Sequence, residues 1–207
     1  MKKALILVGV LIIVVAVFLL LAGNSSSNKN IKNYPSSGTN IIAFGDSLVL
    51  GVGSSVGNDF VSVLSRQLNI PIENLGRAGD TTDAAKGRLN EVLERDPKVV
   101  LLLLGGNDYL RQIPKEEIFS NLGIIIESIQ NSGAIVILLG VKGGILRDNY
   151  KSDFKKLSIQ YQTVYIENVL DGIISNPDLM YDSIHPNNDG YKIIADRIYP
   201  VIKNLID

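Results

Sequence analysis

The sequence predicts an α/β domain in which helices cover both faces of a five-stranded parallel sheet. Two observations lead to this fold class. Short apolar runs alternate with longer amphipathic segments throughout residues 40–207, which is typical of strands and helices that build a parallel sheet. The chain has 207 residues, of which 46% are hydrophobic and 20% charged. This composition is that of a globular protein with a sizeable core.

We expect five strands, at residues 40–44, 70–75, 98–104, 134–140 and 163–166. Amphipathic segments predict helices at residues 59–68, 82–95, 115–131 and 150–160, with a last helix over 188–205. Pro114 suits the first turn of the third helix, and Gly133 suits its C-terminal end. In such a sheet, functional side chains collect in the crevice beyond the carboxyl ends of the strands.

Composition and charge exclude several classes of protein. Twenty Lys and Arg residues against 21 Asp and Glu residues give a formal net charge of −1, without the basic excess that nucleic-acid binding requires. The chain has no Cys and a single His, His185, which excludes disulfides, Cys-based metal sites and thiol catalysis. A metal site would have to combine carboxylates with His185, and no motif indicates one.

Residues 1–22 predict a membrane anchor or a signal peptide. Lys2 and Lys3 precede an uncharged apolar run over residues 4–22, whose length as a helix matches a bilayer core of roughly 30 Å. The run is longer than the core of a cleaved signal peptide. We expect an uncleaved anchor that holds the rest of the chain outside the cytoplasmic membrane, with secretion after cleavage as the alternative.

Residues 23–39 are rich in Ser, Asn and Gly, a composition that predicts a flexible linker. Residues 40–207 then form a single domain of ordinary size.

Short motifs with catalytic potential follow the first three strands and precede the last helix. They are, in chain order, Gly45-Asp46-Ser47-Leu48, Gly79, Gly105-Gly106-Asn107-Asp108 and Asp182-Ser183-Ile184-His185-Pro186. A serine at the carboxyl end of a strand can expose its hydroxyl, and an asparagine at the same edge can donate to an oxyanion. His185, three residues after Asp182, suits an oriented base. Each motif alone equally suits a turn or, for Asp46, a helix cap.

In this combination and order, the motifs resemble those of the SGNH or GDSL hydrolases, within them the bacterial extracytoplasmic thioesterase/lysophospholipase and arylesterase branch. The resemblance covers about residues 40–202. It implies a three-layer α/β/α flavodoxin-like fold, ester hydrolysis by a Ser-His-Asp triad, and no metal or cofactor. The implied triad is Ser47, His185 and Asp182, and the implied oxyanion hole consists of the Ser47 and Gly79 backbone N–H groups and the Asn107 side chain.

The resemblance leaves the substrate open, because the family acts on thioesters, lysophospholipids, aryl esters and sugar acetates. We expect amphiphilic acyl esters, because a tethered domain reaches the bilayer surface. Four residues are candidates for an acyl groove, and packing against helices suits them equally well: Leu110, Ile113, Ile145 and Leu146. The enzymatic alternative is a carbohydrate or peptidoglycan O-acetylesterase. The non-enzymatic alternative is a catalytically silent, membrane-tethered binding module.

One further motif competes for the role of nucleophile. Gly53-Ser54-Ser55-Val56-Gly57 matches the Gly-x-Ser-x-Gly pattern of the other α/β hydrolase fold. That pattern requires a strand directly before it and a helix directly after it, whereas the predicted strand ends at Phe44. We therefore expect Ser55 to lie in a loop. No dinucleotide or phosphate-binding fingerprint is present in the sequence.

Overall fold

The computed structural model describes residues 30–141 and 150–206. Within them, five strands form one parallel sheet in the order β2-β1-β3-β4-β5. The strands are β1 (Asn40–Gly45), β2 (Ile72–Gly76), β3 (Pro97–Leu103), β4 (Ile135–Leu139) and β5 (Val164–Ile166). This is the flavodoxin-like order, whose switch point lies between β1 and β3. The predicted fold class is confirmed, and all five expected strands are present.

Helices cover both faces of the sheet. They are α1 (Ser47–Leu50), α2 (Phe60–Leu68), α3 (Thr82–Gly87), α4 (Asn90–Leu93), α5 (Gly106–Leu110), α6 (Lys115–Asn131), α7 (Tyr150–Gln160) and α8 (Asn188–Ile206), with a 3₁₀ turn at Pro177–Leu179. Helix α2 packs against α8, while α6 packs against α3 and α7. These two helical layers bury β1, β3 and β4 on both sides, which explains why these strands are continuous apolar runs.

Two features of the helices differ from the predictions. The expected helix over residues 82–95 is split into α3 and α4, because the backbone leaves the helical conformation at Arg88. Helices α1 and α5, of four and five residues, follow strands directly and are too short to show helical periodicity in the sequence.

The second half of the predicted linker contacts the domain. We call residues 31–39 the arm. Asn33 Nδ2 donates to the carbonyls of Gln130 at 2.7 Å and Ala134 at 2.9 Å, and Thr39 Oγ1 donates to Asp96 at 2.8 Å. The arm therefore lies at the amino-terminal ends of β3 and β4, and only the part of the expected linker before it can act as a tether.

The predicted anchor over residues 1–22 lies outside the described residues, as do Ile145 and Leu146. Among the helices that the structure describes, none is both long enough and apolar enough to cross a bilayer.

Gly45 brings the end of β1 into close contact with its neighbours. A Cβ atom at Gly45 would lie 2.1 Å from the Leu103 carbonyl oxygen and 2.6 Å from the Val49 side chain. Only a glycine fits between β3 and α1 at this point, and this approach places the residues after β1 at the edge of the sheet.

We predict that Gly45→Ala lowers the free energy of unfolding by more than about 2 kcal/mol, because the added methyl group overlaps backbone atoms. Gly87 is the matched control, since a Cβ atom there would have no neighbour within 4 Å. Gly87→Ala is expected to raise stability by about 0.5–1 kcal/mol. Urea unfolding measures both, and equal effects of the two substitutions would contradict this packing.

Candidate active site

Ser47 is the first residue of α1, directly beyond the carboxyl end of β1. The Asp46 carboxylate caps this helix by accepting a hydrogen bond from the Leu48 backbone N–H at 3.0 Å. The cap interpretation of Asp46 therefore agrees with the structure. The capped turn changes the direction of the chain directly after the strand. Ser47 therefore lies at the edge of the sheet and is only partly buried.

His185 lies between Ser47 and Asp182. Its Nε2 atom is 2.9 Å from Ser47 Oγ, and its Nδ1 atom is 2.8 Å from Asp182 Oδ2. With Nδ1 protonated, the imidazole donates to the carboxylate and accepts from the serine hydroxyl. The three residues therefore form a continuous chain of hydrogen bonds from hydroxyl to carboxylate.

Asp182 is held by its own loop. Its Oδ1 atom accepts from the backbone N–H groups of Ile184 and His185, both at 2.7 Å. Desolvation raises the pKa of Asp182, but the hydrogen bonds from the His185 side chain and these two N–H groups outweigh it and lower the pKa to about 2. The carboxylate is therefore ionised at neutral pH and favours the imidazole orientation described above.

The loop that carries His185 is closed by backbone hydrogen bonds at both ends. The Tyr181 N–H donates to the His185 carbonyl at 2.8 Å, and the Asn187 N–H donates to the Leu179 carbonyl at 3.0 Å. The Asn187 side chain then accepts from the N–H groups of Asp189 and Gly190 in the first turn of α8. The imidazole is thus attached to a long helix through a short, closed loop.

Three hydrogen-bond donors of the predicted oxyanion hole lie at this edge. The N–H groups of Ser47 and Gly79 donate to no acceptor in the part of the chain that the structure describes. Gly79 has a φ of +81°, a conformation that favours glycine. Asn107 donates one amide hydrogen to the Asp80 carbonyl at 2.9 Å, which leaves its second amide hydrogen for a ligand.

A small apolar cavity of about 30 Å³ adjoins Ser47. Its lining includes Asn107, Leu110, Val141 and Ile184. Leu110, a predicted groove residue, therefore lies beside the candidate nucleophile.

Ile113, the other described groove candidate, is partly buried and packs against the hydrophobic core, and it is not among the residues that line this cavity. Its role in an acyl groove stays a prediction. A larger open groove of about 540 Å³ lies between α6 and α7, and none of the predicted triad or oxyanion residues lines it.

Ser55 lies in a loop, as expected. Its backbone N–H and its hydroxyl face the side chain of Asn188, at 2.9 Å and 3.4 Å from Oδ1. The imidazole of His185 contacts Ser47 instead.

A layer of buried charged residues beneath the site was not predicted from the sequence. Arg88 Nε donates to Asp80 Oδ2 at 2.6 Å. The Asp108 carboxylate accepts from the backbone N–H and the hydroxyl of Thr82. The position of Asp80 directly after Gly79 is a sequence signal that it lies near the site. Arg88 has no such signal, because an arginine within an amphipathic segment ordinarily lies on the exposed face.

Asp46 is fully buried beside these acids. Burial is the main cause that raises its pKa, from 3.8 to about 7. The hydrogen bond from Leu48 opposes the shift, and the carboxylates of Asp108 and Asp80 add to it. Within residues 30–141 and 150–206, no cluster of three or more acidic or histidine side chains could hold a metal ion.

We predict that Asp46→Asn stabilises the protein increasingly as pH rises. A carboxyl whose folded pKa lies above its unfolded value contributes stability below about pH 4 and loses it as pH rises through about 7. The asparagine keeps an oxygen for the Leu48 cap and does not ionise. The difference in unfolding free energy between variant and parent should grow between pH 4 and 8 by an amount on the order of a few kcal/mol. A difference that is constant across this range in urea titrations would contradict the assignment.

Comparison with known sequences agrees with this geometry. A sequence model of the GDSL-like Lipase/Acylhydrolase family matches residues 43–193. An arylesterase of Vibrio mimicus is 29% identical over 170 residues, which cover 76% of this chain and 85% of that protein. Esterase TesA of Pseudomonas aeruginosa is 25% identical over 178 residues, covering 80% and 89%. The Escherichia coli K12 protein named Thioesterase 1/protease 1/lysophospholipase L1 is 25% identical over 176 residues, covering 81% and 85%.

Solved structures share the fold. The crystal structure of TesA superposes with a TM-score of 0.77 at 24% identity and covers 81% of this chain and 100% of its own. The esterase EstA from Pseudoalteromonas sp., in a structure inhibited by monoethylphosphonate, has a TM-score of 0.73 at 27% identity, with coverage of 79% and 96%. AlinE4, an SGNH-hydrolase family esterase, has a TM-score of 0.65 at 28% identity, with coverage of 83% and 100%.

The match of the family model extends from within β1 into α8 and includes every motif that forms the candidate site. The chain therefore belongs to the GDSL-like lipase/acylhydrolase family and is a hydrolase of the SGNH type.

Proposed function

We propose that this protein is a serine esterase that hydrolyses acyl ester or thioester bonds through a covalent acyl-enzyme. The observation that carries the proposal is the pair of hydrogen bonds at His185, 2.9 Å to Ser47 Oγ and 2.8 Å to Asp182 Oδ2. A serine, a base and an orienting carboxylate in this order provide an activated nucleophile.

In the first half of the reaction, Ser47 Oγ attacks the acyl carbon while His185 Nε2 takes the hydroxyl proton. The tetrahedral intermediate collapses, the bond to the leaving group breaks, and the imidazolium gives its proton to the departing oxygen or sulfur atom. The alcohol or thiol leaves, and the acyl group stays on Ser47. Asp182, ionised at neutral pH, stabilises the imidazolium while it exists.

In the second half, water takes the place of the leaving group. His185 removes a proton from the water, the hydroxide attacks the acyl carbon, and the ester bond to Ser47 breaks. The proton returns from the imidazolium to Ser47 Oγ, and the carboxylic acid product leaves. The enzyme thus returns to its starting state, and the reaction consumes only the ester or thioester and one water molecule.

The oxyanion that forms in each half has three donors within reach of the same edge of the sheet. They are the N–H groups of Ser47 and Gly79 and the second amide hydrogen of Asn107. Loss of one such donor typically costs about 3–4 kcal/mol of transition-state stabilisation.

The relatives named arylesterase, esterase and thioesterase/lysophospholipase support an acyl ester or thioester as the substrate. A specific observation favours a second candidate, the removal of short acyl groups such as acetate. The described walls beside Ser47 leave about 30 Å³ of space in a partly open cavity, roughly the room for two water-sized groups. Octanoate would need displacement of Leu110 or further space outside these walls.

We propose further that the enzyme acts outside the cytoplasmic membrane, anchored through residues 1–22 or secreted if that segment is cleaved. The apolar run after Lys2 and Lys3 supports this location. The arm attaches at the amino-terminal ends of the strands, whereas Ser47 lies beyond their carboxyl ends. The arm and the candidate site therefore lie at opposite ends of the strands.

We predict that Ser47→Ala lowers kcat for para-nitrophenyl ester hydrolysis by at least about 10³-fold, because the nucleophile is lost. Ser55→Ala is the matched control, a serine to alanine change in a nearby loop, and should stay within a few-fold of the parent. Circular dichroism establishes that both variants fold. Substantial activity in Ser47→Ala would reject the proposed mechanism, and a parent protein inactive on every ester would favour the binding-module alternative.

We predict that kcat/KM for para-nitrophenyl esters falls from acetate to octanoate, because the cavity beside Ser47 is small. Leu110→Ala removes part of its wall and should raise kcat/KM for butyrate and octanoate relative to acetate by about 10-fold or more, the order expected for a few buried methylene groups. Ile113→Ala controls for a loss of apolar volume that does not face the cavity. A preference of the parent for octanoate would exclude the short-acyl candidate.

A further inference from the structure

Arg88 is a buried cation beneath the candidate site. It follows α3, and only 7% of its side chain is exposed. Charged side chains are almost never buried to this degree unless they are paired. The partners that compensate the buried charge of Arg88 therefore indicate what the residue does.

The guanidinium connects three separate segments of the chain. Nε donates to Asp80 Oδ2 at 2.6 Å, and Nη2 donates to the carbonyls of Gly45 and Leu75, both at 3.0 Å. Its Cζ atom also lies over the Phe44 ring, 4.3 Å from the centroid. Because a guanidinium has fixed planar geometry, these contacts set the distances between the end of β1, the end of β2 and the loop after β2.

Two of these segments carry an oxyanion donor, and one of the two also holds the third donor. Gly45 lies two residues before Ser47, and Asp80 follows Gly79 directly. The backbone carbonyl of Asp80 also accepts the hydrogen bond that holds the Asn107 amide. The contacts of Arg88 thus extend, within one or two residues, to all three donors of the proposed oxyanion hole.

Stability alone gives little reason for this arrangement. Replacing a buried ion pair by apolar side chains is often neutral or stabilising, because desolvation offsets much of the attraction between the charges. Geometry, in contrast, strongly affects an oxyanion hole, where a displacement of about 1 Å can cost about 10²-fold in rate.

We propose that Arg88 is a positioning residue that holds the Ser47 and Gly79 N–H groups and the Asn107 amide at the spacing the oxyanion requires. The inference rests on the proposed function. Arg88 touches neither the substrate nor His185, and it acts through Asp80 and the two strand-end carbonyls. Its Nη1 atom also donates to Glu91 Oε2 at 3.3 Å, on the side of α4.

The test separates positioning from stability with two variants. Arg88→Lys keeps the charge opposite Asp80, so the variant folds, but an ammonium cannot span the carboxylate and both carbonyls. The double variant Arg88→Met with Asp80→Asn removes both charges, so that no unpaired ion stays buried. In both, we expect kcat for para-nitrophenyl acetate to fall by about 10–10³-fold, with KM changed less than about threefold.

Arg95→Met is the matched control, because Arg95 is a surface residue paired with Glu73 at 3.2 Å. It should leave kcat and KM unchanged. Unfolding in urea, measured on every variant, shows whether the loss of kcat exceeds what stability explains.

The proposal is overturned if either variant, folded at the assay temperature, keeps the kcat of the parent. It is also overturned if KM rises while kcat is unchanged. Ser47→Ala assayed in parallel distinguishes the two claims. Activity in that variant refutes the esterase mechanism itself, whereas an inactive Ser47→Ala beside a fully active Arg88→Lys refutes only the role of Arg88.

Discussion

The hydrogen bond between Ser47 Oγ and His185 Nε2 joins residues that lie 138 positions apart in the chain. Nothing local brings them together. Ser47 is placed by the end of β1, and His185 is placed by a closed loop before α8, so the bond requires both the sheet and the packing of α8 on α2. A change that shifts α8 against the sheet would disturb this bond. The proposed chemistry would be impaired as well, because it depends on the bond.

The lower layer of the site depends on charge rather than on apolar packing. Asp46, Asp80 and Asp108 are all buried at the carboxyl ends of the strands, with Arg88 as the cation paired with Asp80. Burial raises the pKa of Asp46 to about 7, and the neighbouring carboxylates of Asp108 and Asp80 add to this shift. The buried acids also supply acceptors for the backbone N–H groups of the loops, Leu48 through Asp46 and Thr82 through Asp108. The buried carboxylates thus hold the loops in a defined geometry, and their burial and mutual repulsion are the electrostatic cost of this arrangement.

Much of the fold follows from the sequence, because buried parallel strands such as β3 and β4 are continuous apolar runs. The motifs also indicate Ser47, Asp182 and His185, and the imidazole of His185 lies within hydrogen-bonding distance of both other residues. Arg88 was missed, because its burial depends on tertiary contacts and its segment has an ordinary amphipathic pattern. The arm was predicted as linker for a similar reason, since its polar residues are held by backbone carbonyls at the end of α6 and in the turn before β4 that no sequence pattern reveals.

The most direct test of the central claim is a crystal structure of the protein after reaction with a fluorophosphonate. Our account predicts a covalent bond from Ser47 Oγ to phosphorus. It also predicts a phosphonyl oxygen within about 2.7–3.1 Å of the Ser47 N–H, the Gly79 N–H and Asn107 Nδ2. Phosphorus bound to Ser55, or a phosphonyl oxygen directed away from Gly79 and Asn107, would contradict it.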